Sequence, residues 1–173
     1  MPEAPASATG ADDELASRVV ATLRARGLTL ATGESLTAGL VAATIADVPG
    51  SSAVLRGGVV AYDREVKSHL LAVPIEVLDS GLVTGAVAEA MARGAAAALR
   101  ADLGIGTTGV AGPEPHGGEP VGSVWIAVVG GPAAGERTKV QHLDLSGDRS
   151  GIRRQTVRAC LALVLDVLDI APA

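Results

Sequence analysis

Four short stretches of this 173-residue chain carry side chains suited to chemistry. Gly33-Glu34-Ser35 offers a hydroxyl between two apolar runs, LTLAT and LVAATIA. Tyr62, with Lys67 five residues on, offers a phenol and an amine. Thr107-Thr108-Gly109-Val110-Ala111-Gly112-Pro113 offers a glycine-rich backbone that a ligand can approach closely. Ser146-Gly147-Asp148-Arg149 offers a guanidinium at the start of a helix, where it and the free N–H groups can both grip a phosphate.

Ser35 has two readings. As a helix N-cap it would contribute about 1 kcal/mol. As a nucleophile it would use the tight turn that Gly33 permits. The helix expected next would then aim free N–H groups at an oxyanion, each worth ~2.7–4 kcal/mol. Lys67 likewise either runs its amine out to water or serves as a base. A base must be neutral, and lowering a lysine from about 10.4 to about 7–8 takes roughly 3.5–4.5 kcal/mol of bias against the charged form. Burial beside an apolar sheet, or a second cation, supplies that bias, and Tyr62 would orient the amine or pass on a proton. The glycines after Thr108 read equally as a wide turn before Pro113 and Pro115. Arg153 and Arg154 read as cover for a helix surface.

The elements that must position these groups follow from periodicity and punctuation. A helix is expected from Asp12 or Asp13 to Arg26, with Leu15, Val19, Val20 and Leu23 on one face. A strand at Leu28 to Thr32 precedes a helix from about Leu36 to Ala46. Gly57 to Tyr62 reads as a buried strand, and Asp63 caps a short helix, REVKSHLL. A further helical piece covers Pro74 to Asp79. Thr84 caps an Ala-rich helix, Ala86 to Arg100. Leu103 to Thr108 is a strand, Gly109 to Glu119 a loop, and Val121 to Val129 pairs with Arg137 to Leu145 as a hairpin. The last helix runs to about Leu168. This order predicts an α/β fold: a three-layer α/β/α sandwich with a mixed sheet of about five strands, in a single domain.

Composition narrows the setting. There is one Trp, one Tyr and no Phe, so the core is built from aliphatic residues worth ~1.5–3 kcal/mol each when fully buried. The formal charge of −5 argues against a nucleic-acid partner. Cys160, alone in its apolar pattern CLALVL, reads as a buried structural thiol. His69, His116 and His142 have no metal-ligand spacing, and no metal or cofactor is expected. No apolar run is long enough to span a bilayer, and the Pro/Ala/Ser-rich start lacks the features of a signal peptide. A soluble, reducing, cytoplasmic setting without membrane contact is expected. Residues 1–11 are expected to form a disordered tail and residues 12–173 the folded domain. A homo-oligomer, paired through a helix face or an edge strand, is expected as well.

Read together, five pieces in order resemble the CinA C-terminal domain family, the nicotinamide-nucleotide amidase (NMN deamidase) group. They are GESLTAG (33–39), GSSAVLRGGVVAY with its following lysine (50–67), TTGVAGP (107–113), PVGSVW (120–125) and SGDRSGIRRQT (146–156). They span nearly all of the chain after residue 12.

The resemblance implies an amidohydrolase that converts nicotinamide mononucleotide to nicotinic acid mononucleotide and ammonia. It implies Ser35 as nucleophile, with Tyr62 and Lys67 as catalytic partners. It implies substrate contacts at Thr37 and Gly39, at Thr108, Gly109, Ala111 and Gly112, and at Arg149, with the phosphate on Arg149. The family often has Cys and Gly where this chain has Leu36 and Ala38, and a Ser-Glu pair where it has Thr84-Gly85. The last difference removes a carboxylate. The rival expectation is a nucleotide-binding regulatory module, competence- or NAD-linked, that keeps the pocket without turnover. Two-domain relatives carry an N-terminal nucleotide-processing domain, for which this length leaves no room, so that activity is expected to be absent.

Overall fold

A computed structural model describes residues 9–168. The expected tail at residues 1–8 lies outside the described residues, whereas Thr9 to Ala11 already belong to the first helix. That helix, α1 (Thr9–Arg26), starts before Asp12 and buries Ala16, Val19, Val20 and Leu23 at the i, i+3, i+4, i+7 spacing of one helix face. β1 (Leu30–Glu34) and α2 (Leu40–Ala46) follow. Then come β2 (Leu55–Val60), α3 (Arg64–Leu71), α4 (Ile75–Asp79) and α5 (Gly85–Leu99). β3 (Leu103–Gly109), β4 (Ser123–Gly130), β5 (Thr138–Asp144) and α6 (Arg149–Val167) complete the described chain.

The five strands form one mixed sheet in the order β2-β1-β3-β4-β5. β2, β1 and β3 are parallel, while β4 and β5 run antiparallel to their neighbours. Alternation along the strands sends Leu30, Leu103, Ile105, Val124, Ile126 and Val128 to one face, where α1, α2 and α6 cover them. Ala31 faces the other way, onto α3, α4 and α5, and so do Ala127 and Val129, onto α5. The expected three-layer sandwich is therefore present. Cys160, on α6, is fully buried, and its thiol pKa is pushed well up, first by desolvation and then by the nearby Glu34 carboxylate.

Two expected elements differ. The GGVVAY strand is an edge strand, ending at Val60, and its residues alternate between half-buried and exposed. An apolar run reports burial on both faces only where helices cover both, and nothing pairs with the outer edge of β2 among the described residues. The helix expected from Leu36 starts at Leu40, because Ser35 to Gly39 form a separate turn. Ala38 (φ 50°) and Gly39 (φ 90°) adopt left-handed backbone there, which a regular helix excludes.

The lack of aromatic bulk has a structural counterpart in very close packing of α5 on the sheet. A Cβ built on Gly104 would fall 1.9 Å from the Ala92 carbonyl oxygen, and one on Gly106 1.9 Å from that of Ala88. Glycine on β3 faces alanine on α5, and the backbones touch. This drops α5 onto the strand whose far end carries the Thr108 loop. Gly106→Ala should force α5 off the sheet and destabilise the fold by about 2–3 kcal/mol. Thermal unfolding should show a fall in Tm of about 4–12 °C.

Candidate active site

All three parallel strands end on the same side of the sheet, where ligands of α/β folds gather. The turns leaving them, with the start of α6, enclose a cavity of about 310 Å3. Ser35 and Leu36 line it from the β1–α2 turn, Tyr62 and Lys67 from the β2–α3 segment, and Thr108 to His116 from the end of β3 and the loop after it. Leu82 and Val83 form an apolar wall, and Arg149 reaches in from α6.

Ser35 is held without being capped to a helix. Its N–H donates to the Thr107 carbonyl at 3.1 Å and to Thr107 Oγ1 at 3.3 Å, fixing the turn to β3. Its own hydroxyl has no hydrogen-bond partner among the described residues. The helix N–H groups expected to face that hydroxyl are taken. Glu34, fully buried, accepts from the N–H groups of Gly39 at 2.9 Å, Val41 at 3.0 Å and Ala42 at 2.9 Å, and from Thr32 Oγ1 at 2.9 Å. The carboxylate thus satisfies the orphan donors of α2 and complements its dipole. Both the capping reading and the helix-borne oxyanion site are corrected by this geometry. The Leu36 N–H, on a residue that lines the cavity, has no acceptor among the described residues.

Lys67 is only 2% exposed. Desolvation lowers its pKa below the ordinary lysine value, and the Asp63 carboxylate, which caps α3, partly opposes that shift. Lys67 Nζ donates to the backbone carbonyl of Tyr62 at 3.0 Å. The peptide oxygen of Tyr62, rather than its phenol, therefore orients the amine. The phenol accepts from Arg149 Nη2 at 2.7 Å, and Arg149 Nη1 donates to the Gly112 carbonyl at 2.7 Å. Two guanidinium nitrogens thereby link the β2 and β3 loops, and further N–H donors of the fork remain. Asp148 caps α6 by accepting from Gly151 N at 2.6 Å.

Of the ten residues named from the sequence, Ser35, Tyr62, Lys67, Thr108, Gly109, Ala111, Gly112 and Arg149 border the cavity. Thr108 does so with its hydroxyl donated to the Leu82 carbonyl at 2.7 Å, which ties the loop to the apolar wall. Thr37 and Gly39 do not border it. Thr37 is fully buried beneath the turn, its hydroxyl 2.9 Å from Thr107 Oγ1, and the Gly39 N–H belongs to Glu34. Both support the turn from behind. Gly85 does not border the cavity either: a Cβ there would meet Trp125 Cε3 and Cζ3 and Val140 Cγ1, each at 3.0 Å.

Sequence reasoning missed Glu34 and Arg153. The sequence reads Arg153 as cover for a helix surface, yet its Nε donates to the Leu36 carbonyl at 3.0 Å and its Nη2 to the Thr37 carbonyl at 2.7 Å. The available signal was its spacing: four residues after Arg149, it lies on the same side of α6.

The profile of the CinA C-terminal domain matches residues 12–168. The chain belongs to the CinA C-terminal domain family. A putative competence-damage inducible protein of Desulforudis audaxviator is 44% identical over 163 residues, covering 91% of this chain and 38% of the relative. A CinA-like protein of Frankia casuarinae is 43% identical over 164 residues, covering 94% of this chain and 37% of the relative. The chain thus spans less than two fifths of the length of these relatives. Among solved structures, the competence/damage inducible protein CihA of Agrobacterium tumefaciens superposes with a TM-score of 0.87 at 32% identity, covering 96% of this chain and 99% of that one. A CinA superfamily protein of Klebsiella pneumoniae gives 0.85 at 33%, covering 91% and 97%. This CinA domain shares the α/β fold of those structures, and no helix among its described residues is long and apolar enough to cross a membrane.

Burying Lys67 opposes folding while the amine is charged. Its folded-state pKa is depressed, so the unfolded chain holds the extra proton between the depressed value and the ordinary one. Stability from this group therefore rises with pH through that window. Lys67→Met should raise Tm at neutral pH, at about 2–4 °C per kcal/mol gained. Scanning calorimetry across pH should show the gain shrinking toward alkaline pH.

Proposed function

We propose that this CinA domain hydrolyses the carboxamide of nicotinamide mononucleotide, releasing ammonia and nicotinic acid mononucleotide. The observation that carries the reading is one cavity lined by both a serine hydroxyl with no partner among the described residues and a buried lysine whose pKa desolvation lowers. A cavity of this size suits a small molecule rather than a polymer, and Arg149 at its rim suits a phosphate.

The chemistry follows from the groups present. Neutral Lys67 takes the Ser35 proton as Oγ attacks the carboxamide carbon. The oxygen of the tetrahedral intermediate carries the negative charge, and the Leu36 N–H is the backbone donor at hand. Lys67, now protonated, gives its proton to the departing nitrogen, the C–N bond breaks, and ammonia leaves an acyl-Ser35 ester. Water then gives a proton to Lys67 and attacks the ester, and the proton returns to Ser35 Oγ as the acid departs. Tyr62 contributes in two ways, its carbonyl aiming the amine and its phenol steadying Arg149.

Ala38 and Gly85 are the departures from the family pattern that would favour the binding-module alternative. Neither residue borders the cavity, and Ala38 takes up the left-handed conformation that a glycine would adopt there. Both departures thus lie outside the cavity lining, while Ser35, Tyr62 and Lys67 are all in it, which favours turnover.

Two experiments test this reading. Ser35→Ala should abolish ammonia release from nicotinamide mononucleotide while circular dichroism and Tm stay native; full activity would remove Ser35 as nucleophile. Arg149→Ala should raise KM for the mononucleotide about 10–100-fold, as expected for losing one charged hydrogen-bonding group. The same variant should change turnover of the phosphate-free riboside far less, and an equal loss on both would contradict the phosphate role.

A further inference from the structure

We infer that Arg153 is a positioning residue that sets the aim of Ser35, through a clamp that α6 places on the nucleophile turn. The inference rests on the amidase reading and deepens it. Arg153 does not border the cavity, so it acts on the reaction only through what it holds.

What it holds is specific. Its planar guanidinium forks two successive carbonyls, Leu36 O at 3.0 Å and Thr37 O at 2.7 Å. Each peptide group is planar, so fixing a carbonyl fixes the plane of the whole unit. Fixing two in succession leaves the backbone just after Ser35 little freedom. On its other side Ser35 is tied by its N–H to Thr107 on β3. The nucleophile is thus suspended between a sheet strand and a helix. Lys67 is placed by a separate segment, through the carbonyl of Tyr62.

Arg149, one helical turn earlier on α6, makes the companion link to the Tyr62 phenol and the Gly112 carbonyl. Two arginines on one side of one helix therefore span three loops: Arg153 the nucleophile turn, Arg149 the lysine-bearing segment and the glycine loop. The register between hydroxyl and amine depends on both links. A lysine at 153 would keep charge and reach but offer a compact ammonium in place of a fork, so it cannot fix two peptide planes equally well.

The test compares Arg153→Ala, Arg153→Lys and, as a neighbouring control, Arg154→Ala. Arg154 is exposed, and its Nη1 donates to the Ser150 hydroxyl on the same helix. Steady-state ammonia release from nicotinamide mononucleotide is measured with and without millimolar methylguanidinium, alongside Tm. Arg153→Ala should lose kcat about 10–100-fold, the scale of a reacting group misplaced by about an ångström. Its KM should stay within about threefold, since ground-state binding is untouched. Methylguanidinium should restore part of kcat in Arg153→Ala and none in the wild type. Arg153→Lys should lie between the two, and Arg154→Ala should match the wild type. If the alanine variant does not fold, a native-like Tm with reduced kcat in Arg153→Lys still supports the clamp. Unchanged kcat in the variants, or a loss that follows Tm without rescue, would overturn it while leaving the amidase reading intact. No turnover by the wild type would overturn the amidase reading, and the clamp with it.

Discussion

The carboxylate of Glu34 is the fixed point around which the site is organised. It is fully buried and accepts from three backbone N–H groups and one hydroxyl. An isolated charge in that position would be very costly, and four donors are what make it tolerable. Because the donors come from Gly39, Val41 and Ala42, the carboxylate fixes where α2 may begin. Because Glu34 ends β1, it also fixes how the chain must travel between strand and helix. Five residues, Ser35 to Gly39, have to cover that gap as a turn. The placement of the half-buried serine against the cavity is a geometric consequence of where its buried neighbour is satisfied.

The rest of the scaffold brings the other groups to that point. Glycines on β3 let α5 lie with its backbone against the sheet, which compensates for a core without phenylalanine. On the opposite face, α6 buries an aliphatic stripe and keeps two arginines at its exposed start. These act as tethers between loops that the sheet alone would leave independent. The site is therefore assembled from both layers: the lysine and the apolar wall from the α5 side, the clamp from the α6 side.

The fold was largely legible in the sequence, since each layer depends on periodic aliphatic residues with clear stops. Asp63 and Thr84 read as caps in the sequence, and both accept a backbone N–H as capping predicts. The misreadings came where local signals have two physical meanings. The GGVVAY run is apolar but lies at the sheet edge, a matter of strand order that no local pattern encodes. Ser35 looked like a cap because it precedes a helical run, while the actual satisfaction of that helix comes from the preceding glutamate. In the site, side chains that line the cavity were found through their loops. Thr37 and Gly39 share the nucleophile turn but face away, and orientation within a turn depends on contacts distant in sequence. Arg153 was missed for the same reason: its partners are more than a hundred residues earlier in the chain.

The state of the protein's lone thiol follows from the same arrangement. Cys160 lies wholly inside the α6 layer, and desolvation together with Glu34 holds it as the protonated thiol. Thiolate is the reactive form, so the native molecule is inert toward alkylating reagents and disulfide exchange. Modification must wait for the layer to separate from the sheet. The rate at which a thiol probe labels this chain is accordingly a built-in gauge of how often its interior opens.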